Sequence, residues 1–303
     1  MKITRENIIY APINLLLHLV ALLPFRVLFI VSDIIYFLLY YVIRYRVKVV
    51  SQHIKDSFPE HNTVERTKIV KGFYKHLTDY FLETIKLIHI SDDQMRKRMI
   101  FEGAELIDNS LKRNRSVVAY AAHYGNWEYL TSISLWLESS NNDKVTISQI
   151  YRPLSNKWFD AYMLKLRVRF NTVCFSKKST FRHLFKIKRE GGAFLTGFIS
   201  DQRPSGTDTK HIVKFLNHDT SFITGSETIA RKLDTDVVYL DVEKVSRGKY
   251  KTTIRPIYIA GVTIESKDSI AITDCYAAML EQTINRNPSL WLWSHKRWKK
   301  NKN

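Results

Sequence analysis

An alternation of apolar runs with helical stretches, beginning at Gly103, constrains the fold more than any other feature of the chain. Four of the runs have the length and residue types of buried strands: Val117 to Ala122, Val145 to Ile150, Ala193 to Ser200 and Val237 to Val245. Helical stretches separate most of them, and strands joined through helices pair in parallel. The sequence therefore predicts an α/β fold with a mostly parallel central sheet flanked by helices.

Further elements are predicted on either side of this alternation. Lys210 to Phe215 and Tyr250 to Ile257 have the composition of additional strands. A long helix capped by Thr63 is predicted from apolar residues that recur at spacings of three and four as far as Ile88. A last helix is predicted from about Asp268 to Asn285.

Polar side chains follow three of the predicted strands at the point where each strand ends. His123 follows the first strand, Arg152 the second, and Asp201 with Gln202 the third. A single exposed turn explains any one of these groups, and a surface salt bridge would explain Arg152. A shared pocket explains all three together, because the carboxyl ends of parallel strands lie at one edge of a sheet.

The segment HYGNWE places His123 five residues before Glu128. With ten histidines and 29 acidic residues among 303, chance alone supplies about one such pair. The context is more informative: a strand precedes the pair, Gly125 and Asn126 indicate a turn, and a helical pattern starts at Trp127. We predict a dyad in which Glu128 orients His123, against the alternative of a hydrogen-bonded core histidine.

The surroundings of this pair restrict the chemistry. A histidine accepts a proton near neutral pH, and a carboxylate against its second ring nitrogen stabilises the imidazolium. The sequence has no GxSxG motif and no serine or cysteine beside His123. The base would therefore deprotonate a substrate hydroxyl, which then attacks an activated acyl group directly. The helix starting near Trp127 would direct free N–H groups toward a phosphate or an oxyanion.

The N-terminal part of the chain, Ile8 to Ile43, is its most hydrophobic part and is interrupted by Pro24. As a helix, Phe25 to Ile43 would measure roughly 28 Å, almost the thickness of a bilayer core. Asp33 near its centre would cost about 3 kcal/mol on insertion scales, so an arrangement lying in the interface competes with a spanning helix. A buried helical pair that caps the domain is the third possibility. We expect membrane attachment.

Basic and aromatic residues flank this hydrophobic segment. Arg44, Arg46 and Lys48 follow it directly, which by the positive-inside rule keeps the rest of the chain in the cytoplasm. Tyrosines cluster toward the same end, as they do at the level of lipid headgroups. We therefore divide the chain into a hydrophobic membrane-anchoring segment with a basic flank, residues 1–48, and an α/β domain, residues 49–303.

Charge points to a polyanionic partner. The 47 basic and 29 acidic residues give a net charge of +18, which suits either nucleic acid or an anionic membrane surface. The C-terminal block mixes three tryptophans with basic residues, a composition typical of interfacial membrane binding, of single-stranded nucleic-acid binding or of a packed terminal helix. Of these two partners, a nucleic-acid ligand has no need of the apolar N-terminus, which favours the membrane. The two cysteines, Cys174 and Cys275, indicate neither a disulfide framework nor a zinc site.

Several sequence blocks, taken in order, resemble those of the lipid A biosynthesis acyltransferases, the late acyltransferases within the lysophospholipid acyltransferase superfamily. The resemblance covers most of the chain. After the apolar N-terminus come HYGNWE, YRP with Asn156 behind it, DQRP, SETIARKLDTDVV and a closing PxxWxWSHKRWK. No single block is specific, but their ordered combination is.

The resemblance implies a membrane-bound enzyme that moves a fatty acyl chain from acyl carrier protein to a hydroxyl of a lipid A precursor, on the cytoplasmic side of the cell inner membrane. His123 would be the general base and Glu128 its orienting partner. Four residues of the same blocks would bind substrate or stabilise the transition state: Asn126, Arg152, Asp201 and Gln202. The implied partners are acyl carrier protein, an anionic acceptor lipid and the membrane, with no nucleic acid, no metal and no other cofactor.

Two alternatives remain open at this point. The same chemistry could act on another acceptor: a phosphoglycerol lipid, an aminolipid or a glycolipid. A non-catalytic protein could use the basic aromatic C-terminus to bind anionic membranes or nucleic acid. One departure from the family is also present: Phe215-Leu216-Asn217 replaces a glycine-containing turn, and we expect the turn to survive because asparagine tolerates left-handed backbone.

Overall fold

A computed structural model describes residues 5–204, 211–261, 263 and 271–298, with side chains described from Ile9 onward. The helices are α1 Arg5–Leu22, α2 Phe25–Phe37, α3 Val47–Ser57, α4 Thr63–Lys86, α5 Asp92–Arg96, α6 Ala104–Lys112, α7 Lys157–Arg167, α8 Thr180–Arg189, α9 Gly225–Lys232 and α10 Ile272–Arg286. A π-helical turn, Leu38–Val42, continues α2. Three 3-10 helices are Trp127–Trp136, Glu138–Asn141 and Pro288–Leu290.

The strands are β1 Met99–Glu102, β2 Val117–Ala121, β3 Val145–Tyr151, β4 Val173–Ser176, β5 Ala193–Ile199, β6 Ile212–Phe215, β7 His218–Ser221, β8 Asp236–Ser246 and β9 Lys249–Tyr258. Seven of them form one sheet in the order β1-β9-β8-β2-β5-β3-β4. All neighbours in this sheet are parallel except β8 and β9, which form an antiparallel hairpin. The predicted α/β fold with a mostly parallel sheet is confirmed.

The four strands of the predicted alternation are β2, β3, β5 and β8, each within one residue of its expected ends. Three strands were not predicted: β1, β4 and β7, each four residues long, too short to show a clear alternation. The predicted strand from Lys210 begins at Ile212 and the last helix at Ile272; Lys210 and Asp268 lie outside the described residues.

The prediction that Thr63 caps the long helix is wrong by one residue. The Asn62 side chain accepts hydrogen bonds from the amides of Val64 and Glu65, and the Glu65 carboxylate accepts from the Asn62 amide at 2.7 Å. This capping box satisfies amides that the first helical turn leaves free. It fixes the start of α4, the helix on which the N-terminal helices pack.

The predicted helix after Asn126 is a 3-10 helix rather than an α-helix. Its apolar residues Trp127, Leu130 and Ile133 are spaced three apart, which is one turn of a 3-10 helix. The tighter winding changes the direction in which its first side chains point.

The β6–β7 hairpin keeps its turn without a glycine, as expected. Leu216 and Asn217 both adopt left-handed backbone, with φ of 50° and 61°. Two consecutive residues with positive φ match a type I′ hairpin turn. The Asn217 amide also donates to the Ser57 carbonyl at 2.9 Å, which ties the hairpin to the end of α3.

The segment Phe25–Val42 is long and apolar enough to cross a membrane, with a mean hydropathy of 1.8, and only 11% of it is buried. Helices α1 and α2 nevertheless contact α4 through polar groups. The Lys86 ammonium donates to the carbonyls of Ala21 and Leu23, at 2.7 and 2.8 Å, beside the break at Pro24. The predicted division into residues 1–48 and 49–303 stays a prediction.

Candidate active site

The carboxyl ends of β2, β5 and β3 lie side by side, because these strands are consecutive neighbours in the sheet. The polar residues predicted at the strand ends therefore come together. His123, Arg152 and Gln202 all line one cavity of about 760 Å³. This convergence is what a shared pocket requires.

Apolar and small residues form much of the remaining wall of this cavity. Among them are Ala119, Leu130, Ile133, Ile147, Leu195 and Gly197. A Cβ atom added at Gly197 would meet only the Ser148 carbonyl, at 3.9 Å, so the glycine leaves open space over the sheet. The volume lies within the ordinary range of small-molecule sites. The wall is suited to a hydrocarbon chain.

The His123 ring is fixed by Asp201. Its Nδ1 lies 2.7 Å from Asp201 Oδ1, so Nδ1 carries the proton and Nε2 keeps its lone pair. The other carboxylate oxygen accepts from the His123 amide at 3.2 Å and from Trp291 Nε1 at 2.8 Å. Three N–H groups thus hold one buried carboxylate, and Nε2 is the ring nitrogen of His123 that does not contact it.

The opposite side of the ring faces the cavity. The Gln202 amide donates to His123 Nε2 at 3.2 Å, and the Trp127 ring lies edge-on at 5.1 Å between centroids. The His123 side chain is 19% exposed. A hydrogen-bonded core histidine would be enclosed, so the cavity-lining position contradicts that alternative.

The Asp201 carboxyl is charged in spite of its burial. Burial by itself would raise its pKa, but His123, the Trp291 hydrogen bond and the Arg297 charge together hold the pKa below its ordinary value. Asp201 therefore places a fixed negative charge beside the His123 ring. This charge stabilises an imidazolium when one forms.

Glu128 does not contact the histidine, and the predicted pairing of His123 with Glu128 is wrong. Glu128 is 3% exposed and forms two hydrogen bonds with Arg167, from Nε at 2.9 Å and Nη2 at 2.5 Å. The 3-10 winding directs Glu128 toward the end of α7, where the fork of the guanidinium matches both carboxylate oxygens. Both side chains line the cavity.

Asn126, unlike Glu128, does not line the cavity, which corrects its placement among substrate-binding residues. It is fully buried, and its amide donates to Glu83 Oε2 at 2.8 Å. The same oxygen accepts from the Tyr250 hydroxyl at 2.9 Å. Asn126 thus connects the turn after His123 to Glu83 of α4.

Gly125 completes that turn. Its φ is +59°, and a Cβ atom added there would lie 2.9 Å from Val242 Cγ1. Both the left-handed backbone and the close approach of β8 require glycine at this position.

Sequence reasoning missed the contribution of the C-terminal block to the site. The Leu292 amide donates to the His123 carbonyl at 3.0 Å, and the Gly125 amide donates to the Leu290 carbonyl at 3.0 Å. Trp291 and Trp293 are 3% and 0% exposed. The tryptophans are therefore core residues that support the site, not an aromatic surface for lipid or nucleic acid; their alternate spacing along an extended segment was the available signal.

Comparison with known proteins identifies the family. The family described as bacterial lipid A biosynthesis acyltransferase matches residues 1–300. The lipid A biosynthesis palmitoleoyltransferase of Escherichia coli (strain K12) is 21% identical over 255 residues, which cover 84% of this chain and 79% of that protein. A lipid A biosynthesis acyltransferase of Shigella flexneri has the same identity and coverage. Because the family match spans nearly the whole chain, this protein belongs to the bacterial lipid A biosynthesis acyltransferases.

Proposed function

We propose that this acyltransferase transfers a fatty acyl chain from the thioester of acyl carrier protein to a hydroxyl of a lipid A precursor, at the cytoplasmic face of the inner membrane. One observation carries the proposal: Nε2 of His123 faces a cavity with apolar and polar walls, where it contacts Gln202, while the buried Asp201 carboxylate holds Nδ1 at 2.7 Å.

In the proposed reaction, the acceptor hydroxyl replaces the Gln202 side-chain amide as the hydrogen-bond donor to His123 Nε2. His123 Nε2 then accepts the proton of that hydroxyl. The hydroxyl oxygen attacks the thioester carbonyl, so a C–O bond forms and the C–S bond breaks. Asp201 stabilises the imidazolium, which returns its proton to the departing thiolate of the carrier. The orienting role predicted for Glu128 thus passes to Asp201, and no enzyme nucleophile is needed.

Arg152 and the net charge support the choice of partners. Arg152 is exposed and lines the cavity, where its guanidinium can bind a phosphate bidentately. Both proposed substrates are anionic, since the carrier is acidic and the acceptor lipid carries phosphates. A chain of net charge +18 attracts such partners at long range.

The direct test uses the purified full-length chain, labelled acyl carrier protein thioester and the tetra-acylated lipid A precursor. Mass spectrometry should show a product with one more acyl chain. His123→Ala should lower the rate by at least about a hundredfold, because a general base contributes that much. His61→Ala, which changes a partly exposed histidine beside Glu60, should leave the rate unchanged.

Two outcomes would contradict parts of the proposal. An undiminished rate in His123→Ala would remove the general base. Acylation of a phosphoglycerol lipid, an aminolipid or another glycolipid with no reaction on the lipid A precursor would replace the acceptor but leave the chemistry intact. Comparing the lipids of a deletion strain with those of its parent separates these acceptors.

A further inference from the structure

Helix α2 buries Leu28 and Ser32 against the domain and presents large apolar side chains outward. Ser32, on the side facing the domain, is fully buried and donates to Asp79 Oδ1 at 2.7 Å. The outer side presents Ile30, Ile34 and Phe37, which are 62%, 57% and 56% exposed. Polar groups therefore attach the helix to the domain while large apolar side chains face outward.

Arg247, at the tip of the β8–β9 hairpin, holds the middle of α2. Its guanidinium pairs with Asp33 at 2.8 Å and with Asp79 of α4 at 2.7 Å, and it donates to the Phe29 carbonyl at 3.2 Å. Asp79 is 1% exposed and also lies 3.5 Å from Lys244. We refer to Arg247, Asp33 and Asp79 as the Arg247 cluster. It gives the aspartate in the middle of the apolar segment a partner on the domain.

The hairpin tip fits closely against the same helix. Gly248 has a φ of +73°, and a Cβ atom added there would lie 2.6 Å from Phe29 Cζ. The Gly248 carbonyl accepts from Arg98 at 2.9 Å. Only glycine permits this approach of the hairpin to α2.

Both ends of the apolar segment are attached as well. At its start, Lys86 of α4 binds the carbonyls of Ala21 and Leu23. At its exit, Arg46 donates to the Ser294 carbonyl at 2.8 Å, and the Tyr74 hydroxyl donates to the Tyr45 carbonyl at 2.5 Å. A helix tied to one face of the domain at its start, middle and exit does not cross a bilayer to the far side.

Helix α1 also has exposed apolar side chains, and its N-terminal part contacts residues beside the cavity. Ile9, Ile13 and Leu16 are 63%, 46% and 59% exposed. The Tyr10 ring stacks on Trp158 with centroids 4.7 Å apart, and its hydroxyl accepts from Asn156 at 2.9 Å.

The loop that this end of α1 contacts also lines the cavity. Leu154 and Ser155, which directly precede Asn156, are cavity-lining residues, and Leu154 is 42% exposed. The apolar surface thus adjoins the cavity through consecutive residues of one loop. We define the lipid-facing surface as six exposed residues of α1 and α2: Ile9, Ile13, Leu16, Ile30, Ile34 and Phe37.

We propose that the lipid-facing surface lies in the plane of an anionic lipid leaflet, held against the domain by the Arg247 cluster, so that acceptor lipid passes from the leaflet into the adjoining cavity. Exposed Arg26, Arg44 and Lys48 flank this surface and complement anionic headgroups. The acceptor's identity rests on the proposed function; the position of the helices does not.

Cysteine labelling tests the position directly. In a background with Cys174→Ala and Cys275→Ser, Arg26→Cys and Arg44→Cys report the two ends of the apolar segment Phe25–Val42, and Lys112→Cys reports the domain. A membrane-impermeant maleimide is added to sealed inverted and right-side-out vesicles. We expect all three positions to label in the same vesicle orientation. Labelling of Arg26→Cys only in the opposite orientation, or only after detergent is added, would overturn the proposal.

Vesicle binding tests the surface itself. Ile30→Glu with Ile34→Glu should weaken binding of the full chain to mixed phosphatidylethanolamine and phosphatidylglycerol vesicles by at least about tenfold, since burial of two large apolar side chains is lost. Val64→Glu changes an apolar residue that is 78% exposed on α4 and is the matched control. Equal binding by the double variant and the control would reject the surface.

The two proposals fail separately. If no acyl transfer is found but the three cysteines label together, only the proposed reaction fails. If acyl transfer to lipid A precursor in detergent is normal but Arg26→Cys labels from the far side, only the in-plane arrangement fails. Circular dichroism of each variant shows whether the fold is retained.

Discussion

Two buried carboxylates near His123 have different partners, and this difference underlies the roles that we propose for them. Asp201 lies 78 positions from His123 in sequence, yet it binds the ring because β2 and β5 are neighbours. Glu128 is only five positions away and binds Arg167 instead. The strand ends could be predicted to converge, since that needs only parallel strands. The carboxylate that reaches the ring could not be predicted, because the direction of Glu128 depends on the 3-10 winding after Asn126.

Substituting each carboxylate by its amide should separate the two roles. Asp201→Asn should lower kcat by about a hundredfold or more with little change in KM, because the ring loses its negative partner and its tautomer. Glu128→Gln leaves the Arg167 charge without a partner in the cavity wall and should lower the free energy of unfolding by about 2 to 3 kcal/mol. For each variant, steady-state kinetics measures kcat and KM, and urea unfolding measures the free energy of unfolding. A larger loss of kcat in Glu128→Gln, with unchanged stability, would reverse the assignment.

Trp291 is predicted to act as a positioning residue through Asp201. Trp291→Phe removes the Nε1 hydrogen bond, so the pKa of Asp201 should rise and its attraction for the imidazolium should increase. The acidic limb of the kcat/KM profile should therefore move to higher pH. Trp293→Phe removes an indole bond to the Pro288 carbonyl instead and is the control. A profile that moves equally in both variants, or in neither, would leave Trp291 a packing residue only.

At the scale of elements, the long apolar strands were predictable because a buried parallel strand is apolar on both faces. The attachment of α2 to the domain could not be predicted. Asp33 signalled that a spanning helix would be unfavourable, but its partner Arg247 lies 214 residues away in a hairpin turn. Nothing in the local pattern connects the two. The same hairpin contributes Gly248, so one turn provides both the charge and the close contact that hold the helix.

Breaking the Arg247 cluster should loosen the N-terminal helices before the rest of the molecule. Arg247→Leu leaves the buried Asp79 carboxylate with the Ser32 hydroxyl and the more distant Lys244 ammonium, and should lower the free energy of unfolding by about 2 to 3 kcal/mol. Asp33→Asn should cost less than about 1 kcal/mol, because the Asp33 side chain is 47% exposed. Urea unfolding in detergent and limited proteolysis near residue 45 are the measurements. Equal effects of the two substitutions would show that Asp79 does not depend on Arg247.

At the scale of the whole molecule, α4 connects the N-terminal helices to the turn after His123. Along this helix, Asp79 belongs to the Arg247 cluster, Glu83 holds Asn126, and His76 donates to the Gly125 carbonyl at 3.2 Å. These three side chains are buried and chemically distinct from the apolar core around them. Burial costs polar groups stability unless they are paired, so a group on α4 that changes charge affects both the helix packing and the turn after His123.

His76 makes the stability of the fold depend on pH. Burial, together with the Lys244 charge, lowers its pKa to about 3, and an unfolded histidine titrates near 6.5. Between these values the unfolded chain binds a proton that the folded chain does not, so stability falls as pH is lowered, by about 1.4 kcal/mol per unit. Between pH 7 and 5 the loss from His76 should be about 2 kcal/mol. In urea unfolding of His76→Asn, the free energy of unfolding should fall by about 2 kcal/mol less between pH 7 and 5 than it does in the unsubstituted protein. His61→Asn alters a partly exposed histidine and should keep the pH dependence of the unsubstituted protein. A slope unchanged by His76→Asn would mean that His76 is protonated in the folded protein, and that the turn beneath the active site tolerates its charge.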